Sequence, residues 1–189
     1  FILNLAYSFK LKQIPIIDIT VISLGFLIRV LVGGYATGVF VSRWTILLTF
    51  LLALIMAIGK RRGELIEVKL GGVTRKSLNG YSVEMLDMSF SIIASVSIVC
   101  YIMYTFSSEA ITTFKDGHNL LYLSVIFLVV SILRYVQQTV IFNRTESPTK
   151  VLYKDKFLQF IIFSWSIFFL MLLYYNSLKQ IFLHLLRAI

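Results

Sequence analysis

WTILLTFLLALIMAI, residues 44–58, runs without a charge straight into GKRRGE, residues 59–64. Its polar members, Thr45 and Thr49, are too few to give a helix a solvated face. A helix needs about 20 mostly apolar residues to cross roughly 30 Å of hydrocarbon, and this run with its flanks approaches that length. The stretch therefore reads as a membrane-crossing helix that ends in a basic interface. The same pattern recurs on both sides, with apolar runs at about 16–35, 85–106, 120–142 and 157–175. Polar connections fall at 7–15, 59–84 and 143–156, with others at 36–43 and 107–119. The fold class that follows is all-α, a polytopic transmembrane helix bundle forming a single domain over 1–189. A barrel would instead show ten-residue segments of alternating polarity.

Composition agrees. Hydrophobic residues make up 58% of the 189, above the 45–50% of soluble domains. The single cysteine, Cys100, lies inside an apolar run, which excludes a disulfide framework and a cysteine metal site. The net charge of +9 would point to nucleic acid in a soluble protein. Here the cations are sorted by side. Lys10, Lys12, Lys60, Arg61, Arg62, Lys69, Arg75, Lys76, Arg144, Lys150, Lys154 and Lys156 occupy alternate connections, twelve against four (Arg43, Lys115, Lys179, Arg187) on the other face. The excess of Lys and Arg assigns the first face to the cytoplasm, in a bacterial inner membrane. The chain opens on Phe1 within an apolar stretch, so the natural protein is expected to continue upstream. The tail 176–189 is amphipathic and is expected to lie on the membrane surface.

Carboxylates follow the cations. Asp18, Glu64, Glu67, Glu84, Asp87, Glu146 and Asp155 all fall at the basic ends, seven of the nine acids. Many bases mixed with several carboxylates suit a phosphate or diphosphate substrate held with Mg²⁺, since carboxylates take the hard cation and Lys or Arg take phosphate oxygens. Lys60, Arg61 and Arg62 read as a phosphate clamp, with Glu64 as the metal-side carboxylate. Two further arginines interrupt apolar runs. Arg29 stands eleven residues beyond Asp18, nearly on its helical face and about 16 Å deeper, and Arg134 stands ten residues before Arg144. A guanidinium at such depth normally faces a cavity or a partner. His118 and His184 lie on the far side and are not ligand candidates. The sixteen phenylalanines fit surfaces facing lipid or a prenyl chain.

Taken in order, several of these segments are similar to one family. Tyr7-Ser8-Phe9-Lys10-Leu11-Lys12 is followed by Asp18 and by Gly25-Phe26-Leu27-Ile28-Arg29. Then come Gly59-Lys60-Arg61-Arg62-Gly63-Glu64-Leu65, Gly80-Tyr81-Ser82 with Asp87, Leu133-Arg134-Tyr135, and Ser147-Pro148-Thr149 with Asp155. The set, over about residues 3–175, resembles the UbiA superfamily of intramembrane prenyltransferases in its decaprenyl-phosphate phosphoribosyltransferase branch. The resemblance implies a bundle of nine helices, of which about five are present. It implies transfer of a phosphoribosyl group from phosphoribosyl diphosphate to a polyprenyl phosphate, with Mg²⁺ as cofactor and diphosphate as leaving group, supplying a sugar donor for cell-envelope glycans.

One departure matters. The superfamily's Asn-Asp-x-x-Asp-x-x-x-Asp motif is absent, and is expected upstream of Phe1. The main metal ligands would lie there, and the isolated chain would be inactive. The roles implied for this chain are phosphate binding by Lys60, Arg61 and Arg62, metal contact by Glu64, and substrate binding by Lys10, Lys12, Arg29, Tyr81 and Arg134. Asp18 would orient a base or the ribose. Two other readings compete. One is a related enzyme attaching a prenyl chain to an aromatic or other acceptor, distinguished by the diphosphate it consumes. The other is a non-enzymatic anion or lipid transporter, which would be expected to show repeats or broken helices.

Overall fold

The computed structural model describes residues 2–69, 76–142, 153–177 and 179–180. Helices dominate throughout, and no strand occurs among the described residues. Seven α-helices are numbered here in chain order: α1 Ile2–Phe9, α2 Ile17–Thr37, α3 Arg43–Lys69, α4 Val83–Thr105, α5 Ser108–Phe114, α6 Val125–Val140 and α7 Lys156–Leu173. Short 3₁₀ turns at Leu11–Gln13, Lys76–Gly80 and Lys115–Ser124 link them. Five helical stretches are long and apolar enough to cross a membrane, as the sequence reading holds. The chain is therefore an all-α, multi-pass membrane bundle.

Three boundaries differ from the sequence reading. The polar stretch 59–84 is not a loop throughout, because α3 continues to Lys69. Lys60 and Arg61 meet Glu64 one turn on, and such i,i+3 and i,i+4 pairs favour continuing the helix. The last nine residues therefore carry α3 about 14 Å past Lys60. The connection 107–119 is also helical. Ser107 caps α5, its hydroxyl accepting from Ala110 N–H, and the 3₁₀ turn Lys115–Ser124 leads into α6. Finally, α7 starts at Lys156 because Asp155 is its N-cap, accepting from Leu158 N–H at 2.8 Å. Most of the loop 143–156 and the tail beyond Gln180, with Arg144, Pro148, His184 and Arg187, lie outside the described residues.

In a bilayer, lipid tails are as apolar as leucine, so helices associate through close packing and polar contacts. The main core joins α2, α3, α4 and α6 through Ile19, Ile55, Ile58, Leu86, Phe90, Ile132 and Tyr135. Phe90 stacks on Tyr135 with ring centroids 5.8 Å apart. Gly59 lets α6 approach α3: a Cβ there would lie 2.7 Å from the Tyr135 hydroxyl oxygen. A smaller cluster, Ala110, Phe114, Leu121 and Leu172, closes the opposite end.

Gly117 is the tightest point of that second cluster, since an added Cβ would overlap the Leu172 backbone carbonyl. A carbonyl on a helix cannot swing aside as a flexible side chain can. Gly117→Ala is expected to destabilise the protein by about 1–3 kcal/mol through overpacking. Thermal unfolding in detergent checks it, with Gly33→Ala, where a Cβ meets nothing within 4 Å, as the control.

Candidate functional site

The start of α2, the end of α3, the start of α4, the end of α6 and the start of α7 share one end of the bundle. Three ion-pair groups stitch them together there.

The first is centred on Arg61, whose side chain is 1% exposed. Its Nε donates to Asp18 Oδ2 at 2.6 Å and its Nη1 to Glu64 Oε2 at 2.5 Å. Its Nη2 reaches the Tyr7 hydroxyl at 3.4 Å. Asp18 is fully buried, and its Oδ1 accepts from the Tyr81 hydroxyl at 2.6 Å and from Ile19 N–H at 2.8 Å. The Tyr81 hydroxyl in turn accepts from Ile16 N–H at 2.6 Å. Burial, aided by donation to Asp18, pushes the Tyr81 hydroxyl well above the ordinary tyrosine range, so it stays protonated and donates. Lys60 Nζ stands 4.0 Å from Glu64 Oε1, and about half of its side chain is exposed.

Arg62 centres the second group. Its Nε donates to Asp87 Oδ1 at 2.6 Å and its Nη1 to the Thr139 carbonyl at 2.8 Å, binding α3 to α4 and α6. Arg134 centres the third. Its Nη2 donates to Asp155 Oδ2 at 2.7 Å and its Nη1 to Gln137 Oε1 at 2.6 Å, and its guanidinium lies over the Phe157 ring. Gln138 donates to the same Asp155 oxygen. Burial alone would raise the Asp155 pKa, but the Arg134 and Leu158 hydrogen bonds outweigh it and hold the carboxyl below its usual range.

The site candidates therefore separate. Asp18, Lys60, Arg61, Glu64 and Tyr81 form one cluster, with Lys10 and Lys12 in the adjoining segment 10–16. Arg62 and Arg134 stay at the same end but in their own groups. Arg29 stands apart, exposed on α2 and lying over the Phe26 ring. The structure also revises roles. The guanidinia of Arg61 and Arg62 are occupied by protein carboxylates rather than held open as a clamp, because Asp18 and Asp87 come alongside them. Asp18 has no solvent face from which to orient a base or ribose, and it serves as the buried anchor of Arg61 and Tyr81. Asp87, Asp155 and Gln138 also belong to this end as partners of the arginines. Asp87 and Asp155 were marked in the sequence by position, each at the head of a helix, and by their place in the ordered segments of the resemblance.

Between α3, α4, α6 and α7 lies a cavity of about 440 Å³ whose lining, including Leu48, Met56, Phe127, Ile132 and Trp165, is almost wholly apolar.

No family model matches the chain. Curated relatives do. The chain is 32% identical over 167 residues to a protein of Mycolicibacterium smegmatis named decaprenyl-phosphate phosphoribosyltransferase, covering 86% of this chain and 52% of the relative. It is 32% identical over 173 residues to the protein of that name from Corynebacterium glutamicum, covering 91% and 51%. A third, from Mycobacterium tuberculosis, is 31% identical over 166 residues, covering 86% and 52%. The resemblance read from the ordered motifs is borne out by these relatives. The chain spans about half the length of the curated relatives it matches.

Proposed function

We propose that this chain is part of a membrane transferase of the UbiA superfamily that moves a phosphoribosyl group from phosphoribosyl diphosphate to a polyprenyl phosphate, releasing diphosphate. The observation that carries the proposal is the run of relatives at 31–32% identity, each named for that activity, over most of this chain. The charged bundle end supports it, because a diphosphate needs fixed cations beside an apolar region that accepts a lipid tail. The apolar cavity between α3, α4, α6 and α7 suits part of such a tail. The charge asymmetry supports a reading in which this end faces the cytoplasm, at a bacterial inner membrane.

In this reaction the bond from the ribose anomeric carbon to diphosphate breaks, and a bond from that carbon to an acceptor phosphate oxygen forms. Positive charge grows on the sugar and negative charge on the leaving diphosphate. The acceptor oxygen is already anionic, so no general base is required. Lys10, Lys12 and Lys60, which reach the surface, would take the diphosphate oxygens, and fixed cations aimed at developing charge lower the barrier. Arg61 and Arg62 would act indirectly by holding Glu64, Asp18 and Asp87 in place.

Among the described residues no three His, Cys, Asp or Glu converge on a metal position. Mg²⁺ generally takes one or two carboxylates plus substrate phosphates. Glu64, a quarter exposed beside Lys60, fits one such donor. Mg²⁺ arriving with the diphosphate would neutralise leaving-group charge there.

The test uses the full-length protein in membranes with labelled phosphoribosyl diphosphate and decaprenyl phosphate. Label entering the lipid fraction, and stopping when EDTA removes Mg²⁺, is expected. A protein that consumes prenyl diphosphate with an aromatic acceptor instead, or moves label across the membrane unchanged, would overturn the proposal.

A further inference from the structure

We infer that Tyr81 is a positioning residue whose hydroxyl latches a strained turn at Ile16 and thereby fixes where Lys10 and Lys12 stand. The turn spans Pro15–Ile17. Ile17 N–H donates to the Pro15 carbonyl at 2.8 Å, closing a three-residue ring, and Ile16 between them sits at φ 68°, ψ −47°. That is the γ-turn of positive φ, the rare and strained form. For a β-branched residue it is an outlier, and such conformations persist only where their surroundings over-determine them. Ile16, the N-cap residue of α2, has no side chain able to cap the helix that follows.

Two neighbours supply the constraint. Tyr81 accepts the Ile16 N–H at 2.6 Å, while its own proton goes to Asp18 at 2.6 Å and Asp18 holds Arg61. Gly80 lies flat against the Pro15 ring, where a Cβ would overlap the ring carbons. Glycine and tyrosine in succession thus clamp both sides of one turn. Upstream, the 3₁₀ turn Leu11–Gln13 is closed by Gln13 N–H to the Lys10 carbonyl and Ile14 N–H to the Leu11 carbonyl. Lys10 and Lys12 therefore ride on a short, locally closed segment whose join to α2 is the latched turn. The Tyr7–Arg61 contact at 3.4 Å is a longer, weaker second tie.

The sequence reading gives Tyr81 to substrate. Its ring is buried, and its hydroxyl proton and one lone pair are committed within the protein. Its effect on a phosphate would therefore pass through the backbone to the two lysines. This inference rests on the proposed reaction only in taking those lysines as phosphate contacts.

Three variants of the full-length protein test it: Tyr81→Phe, Ile16→Gly and the two combined. One readout is trypsin cleavage after Lys10 and Lys12. The other is the kinetics with phosphoribosyl diphosphate. Tyr81→Phe keeps the ring and loses both hydrogen bonds, so cleavage and KM are each expected to rise roughly tenfold, with kcat near the unaltered value. Ile16→Gly removes the Cβ that makes the turn strained, so adding it to Tyr81→Phe is expected to bring both readouts back toward wild type. A hydroxyl that merely stabilised the fold would not be rescued at Ile16. Unchanged cleavage and KM in Tyr81→Phe, faster cleavage with unchanged KM, or no rescue by Ile16→Gly would each overturn the inference. Absence of phosphoribosyl transfer by the unaltered protein would sink the proposed reaction instead, while proteolysis would still report the latch.

Discussion

Replacing Arg61 with methionine is expected to destabilise the full-length protein by about 3–5 kcal/mol, the cost of breaking a buried ion pair by removing one partner. The loss follows from what remains. Asp18 is fully buried, and without Arg61 its Oδ2 loses the 2.6 Å guanidinium bond with no water to replace it. Glu64 and Tyr7 lose their contacts to the same guanidinium. Thermal unfolding in detergent should show the drop, and transfer activity should fall with it. The double variant Arg61→Met with Asp18→Asn removes the stranded charge as well, so it should recover a substantial part of the stability. An Arg61→Met protein as stable as the parent would mean that the guanidinium is not the centre of this end.

The second large effect is expected at Asp155. Asp155→Ala removes the N-cap of α7, worth about 1 kcal/mol, and charge-assisted hydrogen bonds worth about 1.5–3 kcal/mol. It also leaves Arg134 facing Gln137 and the Phe157 ring alone. A total near 3 kcal/mol is expected from those two contributions. The same carboxylate gives the stability a pH dependence of definite sign. Its pKa is lower in the fold than in the unfolded chain. The unfolded chain therefore binds the proton more readily at acid pH. The contribution is present in full above the ordinary aspartate value of about 3.9 and is lost as pH falls below it through the folded value. Unfolding measured between neutral pH and pH 3 should show a drop at the acid end that is smaller in Asp155→Asn. Equal slopes in the two proteins would contradict this role.

The spans were legible because hydropathy is local: residues 44–58 announce a membrane helix without reference to the rest of the chain. The sidedness of the charges was legible for the same reason, and it located the end of the bundle that carries the polar groups. Pairing was not. Arg61 and Asp18 are separated by 43 residues and Arg62 and Asp87 by 25, and nothing local distinguishes an arginine that meets a carboxylate from one left for phosphate. The basic triplet therefore read as three equivalent cations, whereas the fold buries two and leaves Lys60 toward solvent. The two intramembrane arginines read alike and differ in outcome, because Arg134 finds Asp155 while Arg29 lies over Phe26. The turn at Ile16 gave no signal, since a β-branched residue is not expected at positive φ. Asn79-Gly80 is by contrast a dipeptide that favours a turn, and Gly80 proves to be where Pro15 packs.

At the polar end of the bundle the exposed lysines are expected to bind a diphosphate while the buried arginines hold that end together. Equilibrium binding of labelled phosphoribosyl diphosphate with Mg²⁺ to the full-length protein, compared with Lys60→Gln, tests it most directly. Affinity is expected to weaken about tenfold, through the loss of one charge-assisted hydrogen bond, with an unchanged unfolding temperature. Undiminished affinity in Lys60→Gln would contradict it.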